Sequence, residues 1–182
     1  MKYISILFAL LLTVACDTTE NNTELPTPPN EENSWMDEVI DISDADYLYK
    51  DNLLARVSFV PTSDPTLRND YISLTDQTTG LVLFMDLYSA NDFDYITPGI
   101  YTFGDGTPMT AHREWCYVYD ETHESLMRFS DGRVKVIADP EHSSGSVWYH
   151  ITARFENYSG EVIAADYEGI ITPNASISSR AL

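Results

Sequence analysis

Val147-Trp148-Tyr149-His150-Ile151-Thr152-Ala153-Arg154-Phe155-Glu156 is the stretch that decides the fold. Apolar or aromatic side chains stand at every second position from 147 to 155, and most of the positions between them are polar. A period of two places successive side chains on opposite faces of a β-strand. Asn157-Tyr158-Ser159-Gly160 is a turn sequence, so we predict that residues 161–171 return as the second strand of an antiparallel hairpin.

Similar strand and turn signals recur towards the N-terminus. Residues 53–60 alternate and end at Pro61, which predicts a strand. Residues 71–75 and 81–88 flank Asp76-Gln77-Thr78-Thr79-Gly80, which predicts a second hairpin. Thr97-Pro98-Gly99-Ile100 favours a type II turn, because proline presets the first central residue and glycine permits the second. We expect a strand to start at 101–103.

The middle of the chain adds further expectations. Residues 114–119 are rich in β-formers and predict a strand. Asp131-Gly132 predicts a tight hairpin turn, followed by a strand over 134–138 and a loop over 139–145. For residues 35–49 the pattern fits either a short amphipathic turn or a first strand.

About eight to ten short strands with regular turn signals and no convincing long helix predict an all-β protein. We expect an antiparallel β-sandwich or a partly closed β-barrel built of hairpins, and the sequence leaves both open. One domain over residues 35–173 accounts for these strands, and residues 174–182 are expected to be a C-terminal tail.

The composition limits the partners. The chain has 29 acidic residues against 10 Lys and Arg residues, a formal net charge of -19. Such a charge repels nucleic acid and anionic membrane surfaces. We therefore expect no nucleic-acid partner and favour neutral or cationic ligands.

The N-terminal segment indicates where the protein resides. Lys2 precedes a short apolar run, and Leu10-Leu11-Leu12-Thr13-Val14-Ala15-Cys16 resembles the lipobox of bacterial lipoproteins. The resemblance implies that residues 1–15 are a signal peptide, that Cys16 is diacylated, and that the protein contacts the membrane through this lipid anchor. The run is shorter than the roughly 20 apolar residues that span a bilayer. An ordinary secretory peptide is the alternative.

Residues 16–34 are expected to be the lipidated cysteine and a flexible tether. They are acidic and carry three prolines, so they bury too little apolar surface to offset the entropy of ordering. An acidic leader directly after Cys16 resembles that of Bacteroidota lipoproteins, and Asp17-Thr18-Thr19 resembles their short O-glycosylation motif.

The domain itself also resembles a group of small Bacteroidota lipoproteins. The resemblance covers about residues 50–171, and the residues that carry it are Ile96-x-Pro-Gly-x-Tyr101, Asp131-Gly-x-Val-x-Val136, Tyr149-x-Ile151 and Tyr167-Glu-Gly169-Ile170. It implies a β-domain anchored by lipid to the outer membrane and displayed at the cell surface.

The sequence gives no indication of catalysis. It lacks G-x-S-x-G, H-E-x-x-H, C-x-x-C and a glycine-rich phosphate loop, so we expect no enzyme activity. Ser143, Ser144 and Ser146 stand beside His142, but neighbours in one loop rarely form a triad. If Cys16 carries lipid, Cys116 has no disulfide partner, and we interpret it as a small buried hydrophobe.

Metal ligation has only weak signals. Residues 91–94, Asp44, Asp46 and Asp105 offer hard oxygen ligands that suit Ca²⁺, but none has the spacing of a known calcium loop. We expect no metal and no cofactor other than the acyl lipid, with Ca²⁺ as the weaker alternative.

Aromatic residues provide the candidate binding site. Trp148 falls on the polar side of its strand beside His150 and Arg154, and Trp115 and Tyr117 form a second stripe. Exposed aromatic rings flanked by hydrogen-bonding groups are platforms for sugar rings. We therefore predict a non-catalytic, possibly carbohydrate-binding domain. Packing of the segment around Trp35 over Trp148 is the structural alternative. The alternative function is structural, in which a strand edge pairs with another envelope protein.

Overall fold

A computed structural model describes residues 35–104, 106–143 and 146–173, without the side chains of Ser143 and Thr172. The predicted signal peptide 1–15, the segment 16–34 with Cys16, and the tail 174–182 lie outside the described residues. So do Asp105, Ser144 and Gly145. No helix in the described part of the chain has the length and apolar character needed to cross a membrane.

The described residues are all-β, as predicted. They contain 3-10 turns at 35–37 and Arg113–Trp115 but no α-helix. Their strands are β1 Tyr47–Tyr49, β2 Leu53–Pro61, β3 Leu67–Asp76, β4 Leu81–Ala90, β5 Gly99–Gly104, β6 Thr110–His112, β7 Tyr117–Asp120, β8 Ser125–Ser143, β9 Ser146–Asn157, β10 Val162–Ile170 and β11 Thr172–Pro173.

Five of these strands close into a barrel. β4 pairs with β7 through residues 81–84 and with β6 through residues 87–88. β8 pairs with β7 through residues 125–128 and with β5 through residues 133–136. β5 and β6 run parallel, so the ring is mixed, and of the two predicted architectures the barrel is the one that forms.

The other strands extend this ring on the outside. β3 and β2 continue outward from β4, and β9, β10 and β1 continue from β8. Ile171 alone separates β10 from β11, and β11 pairs in parallel with β2. Residues 162–173 therefore contact strands from both ends of the sheet order.

The core forms from the inward side chains of these strands. In β9 the predicted alternation is confirmed, because Tyr149, Ile151, Ala153 and Phe155 are buried while the residues between them are half-buried. They join one apolar cluster with residues of β2, β3, β4 and β8, such as Val57, Leu74, Leu83 and Val134.

The Asp131-Gly132 hairpin prediction is wrong. β8 continues through these residues with a register irregularity between Phe129 and Asp131, and it extends to Ser143 across the predicted loop. A side-chain carbon at Gly132 would lie 2.2 Å from Cδ1 of Phe155. Glycine is needed here for the close approach of that ring. The hairpin turn into β8 lies earlier, at residues 121–124.

The predicted strand 114–119 is only partly correct. Residues 113–115 form a 3-10 turn, and β7 begins at Tyr117. The turn is needed because β6 and β7 pair with two different parts of β4. Gly99 has a φ of 150° and opens β5 directly, far from the φ of about 80° that a type II turn requires.

Candidate functional site

Residues within or beside three hairpin turns line a cavity of about 370 Å³, called the end cavity below. The turns are the β3–β4 turn, the β7–β8 turn and the β9–β10 turn. β1 lies beside the start of β10, where Tyr47 pairs with Ile163. The residues that line this end cavity are Asp46, Tyr47, Tyr49, Leu81, Val118, Asp120, Ser125, Met127, Glu161 and Ile163.

The three turns share one way of forming. Each begins with an Asp or Asn whose side-chain oxygen accepts hydrogen bonds from the backbone N–H groups of residues that follow it closely in the chain, at 2.7 to 3.3 Å. These side chains are Asp76, Asp120 and Asn157. This is the local hydrogen bonding for which Asp and Asn are favoured in turns. The rim of the end cavity is therefore built from residues whose conformations are fixed locally.

Tyr49 has the most unusual environment in the end cavity. Its side chain is only 1 % exposed, and its ring packs edge-on against Tyr47 with 4.9 Å between centroids. Its buried hydroxyl has no hydrogen-bond partner within the part of the chain that the structure describes. A buried polar group without a partner destabilises a fold by roughly 1–3 kcal/mol. Such a group is consequently expected to have a ligand-binding or other specific role.

Burial keeps the Tyr49 hydroxyl neutral. Loss of solvent raises its pKa well above the usual range, and the nearby Tyr47, Asp76 and Asp120 raise it further. A neutral phenol can donate one hydrogen bond and accept another.

The Tyr47 hydroxyl, by contrast, is fully engaged. It donates to Oδ2 of Asp76 at 2.5 Å and lies 3.1 Å from Oγ1 of Thr79. The hydrogen bond from Tyr47 lowers the pKa of Asp76 to about 2. Two tyrosines of one short strand thus differ in whether their hydroxyls are satisfied.

The rim of the end cavity is acidic. Asp46, Asp120 and Glu161 line it, and no Lys or Arg is among its described lining residues. The hydrogen bond from His123, at 2.6 Å, is the main reason that the pKa of Asp120 is lowered. Asp46 accepts the N–H of Val162 at 2.8 Å, which fixes the start of β10 beside β1.

No protein-family model, curated protein or solved structure matches this chain. The residues of the site are therefore the basis for inferring its function.

The predicted sugar platform is only partly assembled. Trp148 is half-buried, and its ring centroid lies 6.0 Å from that of His142 and 6.4 Å from that of His150. His150 Nε2 lies 2.9 Å from Oδ1 of Asp166. Trp148 and His150 are thus neighbours on the outer face of β9. This surface, Trp148 with His142 and His150, is called the Trp148 platform below.

Arg154 belongs to a different set of contacts. Its Nη2 lies 2.8 Å from Oδ2 of Asp44, in the segment before β1. The same segment receives hydrogen bonds from Lys135, whose Nζ donates to the carbonyl oxygens of Met36 at 2.5 Å and Glu38 at 2.7 Å. The segment before β1 therefore binds Lys135 of β8 and Arg154 of β9, and Arg154 is engaged within the fold.

Trp115 and Tyr117 do not form one aromatic stripe. Trp115 is in the 3-10 turn and is 53 % exposed, whereas Tyr117 is in β7 and its ring packs on Phe84 at 4.9 Å. Cys116 between them is fully buried, as predicted, and burial raises the pKa of its thiol to about 12. It is therefore a packing residue with an unreactive thiol.

The acidic side chains considered as Ca²⁺ ligands either bind other residues or do not form a cluster in the described part of the chain. Asp44 pairs with Arg154, and Asp46 accepts the Val162 N–H. Among the described residues, no group of three or more His, Cys, Asp or Glu side chains could hold a metal ion.

Sequence reasoning missed a buried polar network at the other end of β3. Arg68 Nε lies 2.6 Å from Oδ1 of Asp70, and Ser89 Oγ donates to Oδ2 at 2.6 Å. Arg68 also donates to the carbonyl oxygens of Phe93 and Tyr95. The network ties the connection after β4 to β3. The Arg68-x-Asp70 spacing could have indicated it, because residues two apart in a strand share a face.

A second missed cluster lies on the outer face of β3 and β4. Asp86 is fully buried, and Nδ2 of Asn69 donates to both of its carboxylate oxygens at 3.0 and 3.1 Å. Burial raises the pKa of Asp86 to about 6, although the hydrogen bonds from Asn69 lower it. His112 acts on this carboxylate electrostatically, and its own buried Nδ1 has no partner among the described residues.

Proposed function

We propose that this protein is a lipid-anchored envelope protein whose β-domain binds a small ligand, without catalysis, in the end cavity. The observations that support the proposal are the size of this cavity and the buried, unpartnered hydroxyl of Tyr49, which is one of its lining residues. Ligand sites are mostly apolar cavities of about 300–1,000 Å³ with a few polar groups that orient the ligand. The end cavity has this size, and Leu81, Val118 and Ile163 supply apolar walls.

The side chains in the cavity favour binding over catalysis. Nucleophilic catalysis needs a nucleophile within hydrogen-bond reach of a base. The acids of the rim are engaged in fixing turns or strands, and the hydroxyl of Tyr49 is held neutral by burial. These roles suit a preformed pocket whose shape is fixed before a ligand enters.

The membrane anchor is proposed from the sequence. The lipobox-like stretch ending at Cys16 and the acidic tether after it support an outer-membrane lipoprotein displayed at the surface. Intact-mass analysis of the protein from its native membrane tests this, with Cys16→Ser as the control. We expect a mass increase of two or three acyl chains in the wild type only. An unmodified Cys16 would refute the anchor.

Ligand binding is tested with the neutral fluorophore N-phenylnaphthylamine, whose emission rises in apolar sites. Met127 lines the end cavity, whereas the adjacent Leu126 is 46 % exposed and projects from the other face of the strand. Met127→Trp should fill the cavity and abolish the emission increase, while the matched control Leu126→Trp should keep it. Equal binding by both folded variants would overturn the end cavity as the site.

A second candidate function, glycan binding, is supported by the Trp148 platform. A half-buried indole between two imidazoles offers an apolar ring face with hydrogen-bonding groups beside it. Affinity electrophoresis in gels with neutral polysaccharides tests this, with Trp148→Ala compared to Trp115→Ala. Retardation lost only in Trp148→Ala supports the platform, and unchanged retardation in both variants would refute it.

The structural alternative has less support. The strands at the ends of the sheet order are β1 and β11, with 3 and 2 residues. They cover only residues 163–165 of β10 and residues 56–57 of β2, which leaves further edge to a partner strand, but no contact among the described residues identifies such a partner.

A further inference from the structure

We infer that the end cavity selects ligands in which a protonated amine is attached to a small apolar body. The inference rests on the proposed function, because it names the ligand class of the same cavity. It depends on three features of that cavity, which are the sign of the charge at its rim, the two phenol rings and the unpartnered hydroxyl.

The charged side chains that line the end cavity are all acidic. Three of the ten lining residues are acidic, and no Lys or Arg is among those described. Asp76, held by the Tyr47 hydroxyl, adds a further carboxylate just behind the cavity wall. The lowered pKa values of Asp76 and Asp120 keep both groups ionised at neutral pH. An anionic ligand is therefore repelled, and a cationic one is attracted.

The basic groups nearest in sequence are directed elsewhere. Lys50 follows Tyr49, but its ammonium lies 3.2 Å from Oδ2 of Asp166. His123 lies 2.6 Å from Asp120 on the exposed side of the turn, with 75 % of its side chain exposed. Neither residue lines the end cavity. The rim carboxylates accept hydrogen bonds from the turns and from β10, and apart from His123 beside Asp120 no cationic side chain in the described part of the chain pairs with them. Their negative charge can therefore still attract a ligand cation.

The tyrosines supply the complementary groups. The face of a phenol ring attracts cations, and Tyr47 and Tyr49 both line the end cavity. The hydroxyl oxygen of Tyr49 is buried in the ligand-free protein, so an N–H group of a ligand would reach it only after the lining side chains shift. A protonated amine is the chemical group that meets the carboxylates and the ring faces, and after such a shift it could also donate to this oxygen.

The apolar wall defines the rest of the ligand. Leu81, Val118, Met127 and Ile163 come from four strands and face the same space. A cavity of about 370 Å³ accommodates an aromatic or short aliphatic body beside the amine. Arylalkylamines and alkylamines are therefore the expected class.

Three probes with the same phenylethyl body differ in their charge, so comparing them tests the effect of ligand charge on binding. Phenethylamine is cationic, phenethyl alcohol is neutral, and hydrocinnamate is anionic at neutral pH. Each is titrated against the full-length protein loaded with N-phenylnaphthylamine, and loss of emission reports displacement. We expect phenethylamine to displace the fluorophore at a concentration at least about tenfold lower than phenethyl alcohol, with hydrocinnamate the weakest.

Charge-removing variants separate electrostatics from shape. Asp120→Asn combined with Glu161→Gln keeps groups that can accept the hydrogen bonds of the two turns but removes two rim charges. The matched control is Glu121→Gln, an exposed residue of the same turn that does not line the cavity. The advantage of phenethylamine over phenethyl alcohol should fall by about tenfold in the double variant and stay unchanged in the control.

The outcomes distinguish this inference from the proposed function. If the fluorophore binds but phenethyl alcohol or hydrocinnamate displaces it as well as phenethylamine does, the amine inference is overturned and ligand binding stands. Failure of all three probes to displace a bound fluorophore also overturns it. If the fluorophore itself does not bind to the folded protein, the proposed function fails first.

Discussion

The hydroxyl of Tyr47 donates a 2.5 Å hydrogen bond to Oδ2 of Asp76, and this contact joins β1 to the turn between β3 and β4. β1 otherwise pairs only with β10 among the described strands. One wall of the end cavity therefore depends on a side-chain bond between segments 29 residues apart.

Tyr47→Phe removes this bond and should lower the free energy of unfolding by about 1 kcal/mol, the usual contribution of one such hydrogen bond. The folded-state pKa of Asp76 is about 2, below the ordinary 3.8, so this stability is present above pH 3.8 and is lost as the pH falls towards 2. Urea unfolding should show the difference from wild type shrinking over that range. Tyr158→Phe, at a side chain 75 % exposed, is the control and should change nothing.

Tyr49→Phe is the same substitution two residues further along β1, and it should have the opposite effect on the free energy of unfolding. It removes a buried hydroxyl that has no partner among the described residues, so the ligand-free protein should gain up to about 1 kcal/mol of stability. The same variant should bind phenethylamine more weakly than wild type. A loss of stability similar to that of Tyr47→Phe would show that the Tyr49 hydroxyl has a structural partner.

Because the pKa of Asp86 is raised in the folded protein, the free energy of unfolding should fall as the pH rises. The folded-state pKa of Asp86 is about 6 and its ordinary value is 3.8, so the folded protein holds the extra proton between these values. Ionisation through this window therefore destabilises the fold. Asp86→Asn should flatten the pH dependence and raise stability at neutral pH, by on the order of 3 kcal/mol. Thermal unfolding from acid to neutral pH measures this.

The exposed Asp92→Asn variant is the control for Asp86→Asn and should keep the wild-type pH profile. If Asp86→Asn kept that profile too, the pKa of Asp86 would not be raised in the folded protein.

Gly132→Ala should destabilise the barrel by about 1–3 kcal/mol, because the added carbon would lie 2.2 Å from Cδ1 and 2.7 Å from Cε1 of Phe155. Phe155→Leu in the same chain should recover part of this loss. A double-mutant cycle on the free energy of unfolding measures the coupling. Additive effects of the two substitutions would contradict the steric role of Gly132.

Local patterns were sufficient where a strand and its turn form from neighbouring residues. The alternation in β9, the strand β2 and the turns containing Gly80 and Gly160 could all be predicted, because each depends on period and turn chemistry. For residues 35–49 the sequence left a short amphipathic turn and a first strand open, and the structure has a 3-10 turn at 35–37 and the first strand at 47–49.

Contacts between distant residues decided the rest. Asp131-Gly132 has the sequence of a hairpin turn, but Phe155 on the neighbouring strand requires the glycine. Closure of the ring depends on the parallel pairing of β5 and β6, which periodicity does not reveal. Trp148 and His150 are neighbours as predicted, because they are two apart in one strand.

The end cavity could not be predicted from the sequence, because its walls come from β1, β4, β7, β8 and β10. The available signal was indirect. Asp76, Asp120 and Asn157 each start a turn, and turns at one end of a sheet are where loops and ligands meet.

The position of residues 162–173 also sets an order for assembly. β10 is the partner of both β9 and β1, and β11 is the partner of β2. During synthesis from the N-terminus, β1 and β2 are made more than a hundred residues before their partner strands β10 and β11. Such long-range pairing slows folding. β1 can therefore pair with β10, and β2 with β11, only after nearly the whole domain is available, so the cavity wall that β10 supplies is expected to be added late.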